Sequence, residues 1–191
     1  MRSEIILIGP SGAGKSTTGK LLAQALGVSQ CSLDDLRIAY YKEVGFTEDE
    51  QKRIKEAEGF YPGVYRYWKG FQPHSIKRAL ETHPGCVFDL GAGCSVYEDQ
   101  ELLDSVRSIL EPFKNVVLIL PSEDPGESVR ILRKRTWDGI VDGFDFHTHF
   151  VTHPSNYLLA KKIVYTKGKI PEETRDEILA ITKDQEHHHP P

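Results

Sequence analysis

Neither sign of charge dominates this 191-residue chain: 24 Lys and Arg stand against 28 Asp and Glu, a net charge of −4. That balance gives no broad attraction to nucleic acid or to acidic membranes. Cysteine is scarce. Cys31, Cys86 and Cys94 are an odd number with no CxxC pair, which argues against a disulfide framework. Cys86, inside an apolar run, reads as a small buried hydrophobe. Long apolar runs are missing too. The first ends at Gly9, too short for a signal peptide or a membrane helix, so a cytoplasmic location is expected. No internal repeat or long linker breaks the chain. The length suits a single domain with a full core, expected over 1–183. A flexible tail with histidine and proline is expected over 184–191. His187, His188 and His189 are adjacent there, and consecutive residues on a loose end rarely converge on one ion.

Short apolar runs alternate with amphipathic stretches, the pattern of an α/β protein. Ile5–Ile8 is apolar at every position and reads as a strand buried on both faces. Further strands are expected at about 28–33, 86–90, 116–120 and 163–166. Helices are expected at about 15–26, 34–42, 48–58, 72–82, 98–110 and 127–135, at 153–161, and from Pro171 onward. Leu21, Leu22 and Leu26 would form the buried stripe of the first helix, and Thr47 with Glu50 resembles a capping box. The stretch 136–148 is polar, glycine-bearing and aromatic, and is expected to be a mobile loop. Right-handed crossovers between the strands predict a five-stranded parallel sheet flanked by helices, a three-layer sandwich.

Between the first strand and the first helix lies Gly9-Pro10-Ser11-Gly12-Ala13-Gly14-Lys15-Ser16-Thr17. It matches G-x-x-x-x-G-K-[ST] without departure, in the strand-to-helix context its mechanism demands. Glycines let the backbone turn its N–H groups inward onto phosphate oxygens, and the helix adds its positive dipole end. Lys15 would reach the β- and γ-phosphates, and Ser16 would ligate Mg²⁺. ATP with Mg²⁺ is the expected ligand, since no Asn-Lys-x-Asp guanine signature is present.

Asp34 and Asp35 follow the second strand, where a phosphoryl acceptor would lie, and can orient a hydroxyl and take its proton. Asp34 is the favoured base; either residue could instead simply cap the helix. Asp89 ends an apolar strand, the pattern of a carboxylate that holds Mg²⁺ directly or through water. Gly91, Ala92 and Gly93 follow, small enough for a substrate to approach the backbone. Arg130, Arg133, Lys134 and Arg135 precede the polar loop. Lid cations of this kind can stabilise charge on a moving phosphoryl group, and Arg133 and Arg135 are the candidates, against the alternative of a solvated basic face. Phe60, Tyr61, Tyr65, Tyr67, Trp68 and Phe71 mark 59–84 as an acceptor-binding segment, and the basic run with the glycine-bearing loop marks 130–150 as a lid. For His147, His149 and His153, hydrogen bonding or exposure is expected ahead of metal binding.

This order of elements resembles shikimate kinase and its relatives among the small P-loop metabolite kinases, with the nucleoside monophosphate kinase-like fold that implies. The resemblance spans roughly residues 3–182. Asp34 matches the second aspartate of that family's Asp-x-Asp, while Ser32 stands at the first. Gly91-Ala92-Gly93 stands where the family has three glycines. The run from Val164 to Glu173 is similar to the last strand, adenine loop and helix, which implies that Arg130 and Pro171 flank the adenine ring. Arg66 would stand for the arginine that grips the substrate carboxylate, though about three residues too far upstream. The second such arginine would fall near Thr152, and none is there. A buried carboxylate needs paired donors, so an acceptor other than shikimate is open.

The leading expectation is therefore an ATP-dependent kinase acting on a small hydroxyl-bearing metabolite, a monomer with no membrane partner and with nucleic acid disfavoured. A toxin-like, nucleoside or polynucleotide kinase is the second reading and would need a basic groove. A regulatory ATPase without a small acceptor is the third.

Overall fold

The computed structural model describes residues 2–183; the expected tail, 184–191, lies outside them. The chain runs β1 (Arg2–Ile8), α1 (Lys15–Leu26), β2 (Gln30–Ser32), α2 (Leu33–Glu43), α3 (Glu48–Glu58), an irregular helical turn over Gly59–Val64, α4 (Tyr65–Lys69), α5 (Gln72–Thr82) and β3 (Val87–Asp89). It continues with α6 (Gln100–Leu110), β4 (Phe113–Leu120), α7 (Pro125–Arg135), β5 (Ile140–Val141), β6 (Phe144–Asp145), α8 (Phe146–Thr152), α9 (Pro154–Leu159), β7 (Lys162–Tyr165) and α10 (Pro171–Lys183).

The main sheet has the order β2-β3-β1-β4-β7, with every neighbouring pair parallel. Continuous apolar strands feed two cores because successive side chains face opposite ways. Ile6, Ile8, Phe88, Leu118 and Leu120 pack with α2, α5 and α6 on one face. Leu7, Val87, Val117 and Ile119 pack with α1, α7 and α10 on the other. The expected three layers result.

Local chemistry sets the helix starts. Thr47, Asp99 and Asp124 each accept hydrogen bonds from first-turn amides of α3, α6 and α7, which satisfies otherwise orphaned donors. Asp99 as cap places the start of α6 at Gln100, two residues later than expected.

Two sequence expectations need correction. The buried side of α1 is Lys15, Thr18, Gly19, Leu22 and Ala23; Leu26 is 43% exposed. The helix turns its glycine-bearing side to the sheet, a choice that hydrophobicity alone does not reveal. The stretch 136–148 is folded. Asp142 and Gly143 take φ of 50° and 75°, and β5 and β6 pair antiparallel across them. Two left-handed residues form the tight turn that Asp-Gly favours. No helix among the described residues is long and apolar enough to cross a membrane.

Candidate active site

The parallel register brings the carboxyl ends of β1, β2 and β3 level: Leu7 pairs with Asp89, and Asp89 with Ser32. The phosphate loop leaves β1 with positive φ at Gly9, Gly12 and Gly14, backbone that side chains strain against. Lys15 is buried, and its Nζ donates to Pro10 O at 3.1 Å, so the side chain curls back over the loop. Burial lowers its pKa, while the charges of Asp89 and Asp34 push it back up.

Ser16 Oγ donates to Asp89 Oδ2. The other carboxylate oxygen, Asp89 Oδ1, is buried without a hydrogen-bond partner among the described residues. Burial raises the Asp89 pKa, partly offset by Lys15 and the Ser16 hydroxyl. An orphaned carboxylate oxygen beside a serine hydroxyl suits a hard divalent cation that takes oxygen ligands. The expected Mg²⁺ therefore fits these residues. Ser16, Thr17, Ser32, Asp34 and Asp35 line one recess beside them.

Asp34 stands in the first turn of α2 with its side chain about half exposed. Its carboxylate lies against Gly91, where an added Cβ would collide with Oδ1. The close approach, not backbone freedom, is what requires glycine there. Arg37, one helical turn on, pairs with Asp34 at 3.4 Å.

Next to the loop opens a cavity of about 590 Å³. Ser11, Ala92 and Gly93 line the side facing the phosphate loop, and Phe60, Tyr65, Trp68, Trp137, Phe146 and Phe150 supply aromatic walls. Arg37 reaches in with its guanidinium 4.7 Å from the Trp68 ring centre, a cation–π distance. The β5–β6 hairpin closes over this cavity. Asp142 Oδ2 accepts from the amides of Phe60 (2.6 Å) and Tyr61 (3.0 Å), and the Tyr61 ring stacks on Phe144 at 3.6 Å.

The remaining candidates scatter. Arg66 is exposed and lines a separate recess with Tyr61, Tyr97 and Glu98; the arginine facing the aromatic cavity is Arg37. Arg133 bonds Asp138 O (3.1 Å) and Asp145 (2.6 Å), bracing the hairpin. Arg135 donates to Thr166 Oγ1 at 3.2 Å. Arg130 pairs with Glu127, which also binds Lys167, so α7 is tied to the loop leading to Pro171. His147 is buried, with Nε2 3.0 Å from Trp137 O.

Arg37, Asp142 and Lys69 did not stand out in the sequence. Lys69 is buried beneath Gly93, donating to Gly93 O (2.7 Å) and Val96 O (2.6 Å). The i, i+3 spacing of Asp34 and Arg37 was the one available signal for the first, and the Asp-Gly pair for the second.

No family model matches the chain. A stretch of 104 residues is 36% identical to a shikimate kinase of Rhodococcus jostii, covering 54% of this chain and 55% of that enzyme. A shikimate kinase of Streptomyces avermitilis is 24% identical over 184 residues, 92% of each chain. The solved shikimate kinase of Acinetobacter baumannii in complex with shikimate superposes with a TM-score of 0.65 at 19% identity, over 98% of this chain and 96% of that one. The fold is the shikimate-kinase-like P-loop fold: a five-stranded parallel sheet flanked by helices.

Proposed function

We propose that this chain is an ATP-dependent phosphotransferase that moves the γ-phosphoryl group to a hydroxyl of a small metabolite, and that residues 1–183 form one kinase domain. The observation that carries the reading is the convergence of Lys15, Asp89 and Asp34 beside the aromatic cavity. The small-molecule kinases among its relatives support it.

In this reading the backbone of Gly9–Thr17 cradles the phosphates, with Arg130 and Pro171 against the adenine. Lys15 holds the β- and γ-oxygens. Mg²⁺, when bound to Ser16 and Asp89, neutralises phosphate charge. The acceptor enters the cavity between 59–84 and the lid, 130–150, its hydroxyl resting by Asp34 and the small residues Gly91, Ala92 and Gly93. Asp34 takes the hydroxyl proton as the acceptor oxygen bonds to the γ-phosphorus. The bond to the β–γ bridging oxygen breaks, and ADP leaves with that electron pair. Arg135 and Arg133 lie on the lid side, Arg135 nearer the nucleotide and Arg133 holding the hairpin.

Flat apolar walls with Arg37 among them favour a cyclic acceptor with one anionic group. Arg66, facing the neighbouring recess, would serve only an acceptor long enough to reach it. Shikimate belongs first in the panel, followed by sugar acids and nucleosides. ADP release should be stimulated by one such compound and lost in Lys15→Ala and Asp34→Asn. Slow hydrolysis that no compound accelerates, and that survives Asp34→Asn, would reject the proposal in favour of a nucleotide-dependent switch.

A further inference from the structure

Glu98, His149 and His153 come together from two parts of the chain, the loop after β3 and the end of α8. One ligand atom from each lies within 4.8 Å of the others. We propose that they form a binding site for a transition-metal dication of the Zn²⁺ class, separate from the phosphate site.

The donor set is two imidazoles and a carboxylate, with the histidines four residues apart. It matches borderline ions such as Zn²⁺ better than Mg²⁺ or Ca²⁺, which take oxygen. His149 Nε2 already lies 2.7 Å from Glu98 Oε1. An ion about 2 Å from each donor needs these two only slightly further apart, and needs the His153 nitrogen inside the 4.8 Å bound.

Two of the three donors, His153 and Glu98, have outer partners of the kind that orient metal ligands. The Ser155 hydroxyl donates its one proton to Ser95 O at 2.7 Å. His153 Nδ1 is held by Ser155, 2.7 Å from its hydroxyl oxygen and 3.3 Å from its amide, which fixes the ring and leaves Nε2 as the nitrogen for an ion. Tyr65 OH donates to Glu98 Oε1 at 2.8 Å and orients the carboxylate. Glu98 is about half exposed and faces the recess that Arg66 lines, which gives an ion a way in. His147 takes no part, its ring being committed to Trp137. A bound ion would rivet α8, which continues the lid, to the loop descending from Gly93.

The tail histidines must be silenced in the test, so the full chain carries His187→Ala, His188→Ala and His189→Ala. Zn²⁺ titrated by calorimetry should bind one ion per chain, and Co²⁺ in its place should give the intense visible bands of a four- or five-coordinate site. Glu98→Gln and His149→Gln, which keep size and hydrogen bonding, should each weaken binding at least tenfold. Tyr65→Phe should weaken it less. Trypsin should cut the 133–135 segment more slowly when the ion is present. Binding of equal strength in Glu98→Gln and His149→Gln, or no binding by the tail-silenced chain, would overturn the site. Because these residues lie outside the phosphoryl-transfer path, Lys15→Ala should leave Zn²⁺ binding intact, and the result is independent of whether kinase turnover is found.

Discussion

At the scale of single residues, the proposed phosphate site depends on contacts that tolerate little change. Lys15→Ala removes a buried cation set against the loop. Loss of one such charge from a phosphoryl-transfer site costs on the order of 10²–10³ in turnover. Steady-state kinetics with ATP and the identified acceptor checks it. Gly91→Ala is subtler, because the new methyl would push the Asp34 carboxylate aside. We expect turnover to drop about tenfold or more through misplacement of the proposed base, while nucleotide affinity, measured by calorimetry, stays unchanged. Arg37→Met should raise KM for an anionic acceptor by about 10- to 100-fold and leave kcat less affected, the signature of lost ground-state binding. The turn from Gly9 to Ser16 was legible in the sequence because its geometry is local and fixed by an eight-residue pattern. Arg37 was not, because its importance comes from facing Trp68, 31 positions away by their numbers.

Among the elements, the β5–β6 hairpin is pinned in place by its own tip. Its tip makes two hydrogen bonds to the 59–61 backbone through a single carboxylate. Asp142→Gly keeps the positive φ of the turn but removes both bonds. The expected cost is about 1–2 kcal/mol of stability, read by denaturant unfolding, with faster proteolysis of 138–145 as the local sign. Helix and strand placement was legible where caps and continuous apolar runs spoke clearly, as at Thr47 and Ile5–Ile8. The hairpin was missed because its strands are only two residues long each, too short for alternation to show. The first helix was misjudged because Gly19, which lets it lie close to Gln30 and Leu7, outranks Leu26 in choosing the buried face.

Over the whole molecule, the two cores are joined by one sheet, and the site gathers at the carboxyl ends of its strands, as open parallel sheets dictate. That much followed from strand spacing and the phosphate loop. The aromatic cavity followed only in part: the aromatics of 59–72 stood out, but their meeting with 92–93, 137–142 and 146–150 has no local pattern to announce it. Lys69, under this cavity, bears on global stability. Burial lowers its pKa from 10.5 to about 8, against the opposing pull of Cys94 and Glu98. Between those values the unfolded chain holds a proton that the folded chain has lost, so raising the pH favours folding. Below about 8 the folded protein bears the full cost of the buried charge. The unfolding free energy of the native chain relative to Lys69→Met should therefore rise by up to ~3 kcal/mol between pH 8 and 10.5, and urea denaturation of both proteins across that range checks it. A flat difference would mean that its two carbonyl partners hold the ammonium charged throughout.

The chain has two tryptophans, and both line the same cavity, Trp68 from α4 and Trp137, 41% exposed, from the segment leading into the hairpin. Indole emission is therefore an unlabelled gauge of what occupies that space. Any compound that displaces water from the cavity, or draws the Arg37 guanidinium off the Trp68 ring, changes the fluorescence of the whole protein. Candidate acceptors can thus be ranked by optical titration before any reaction is followed, with Trp68→Phe and Trp137→Phe separating the two signals.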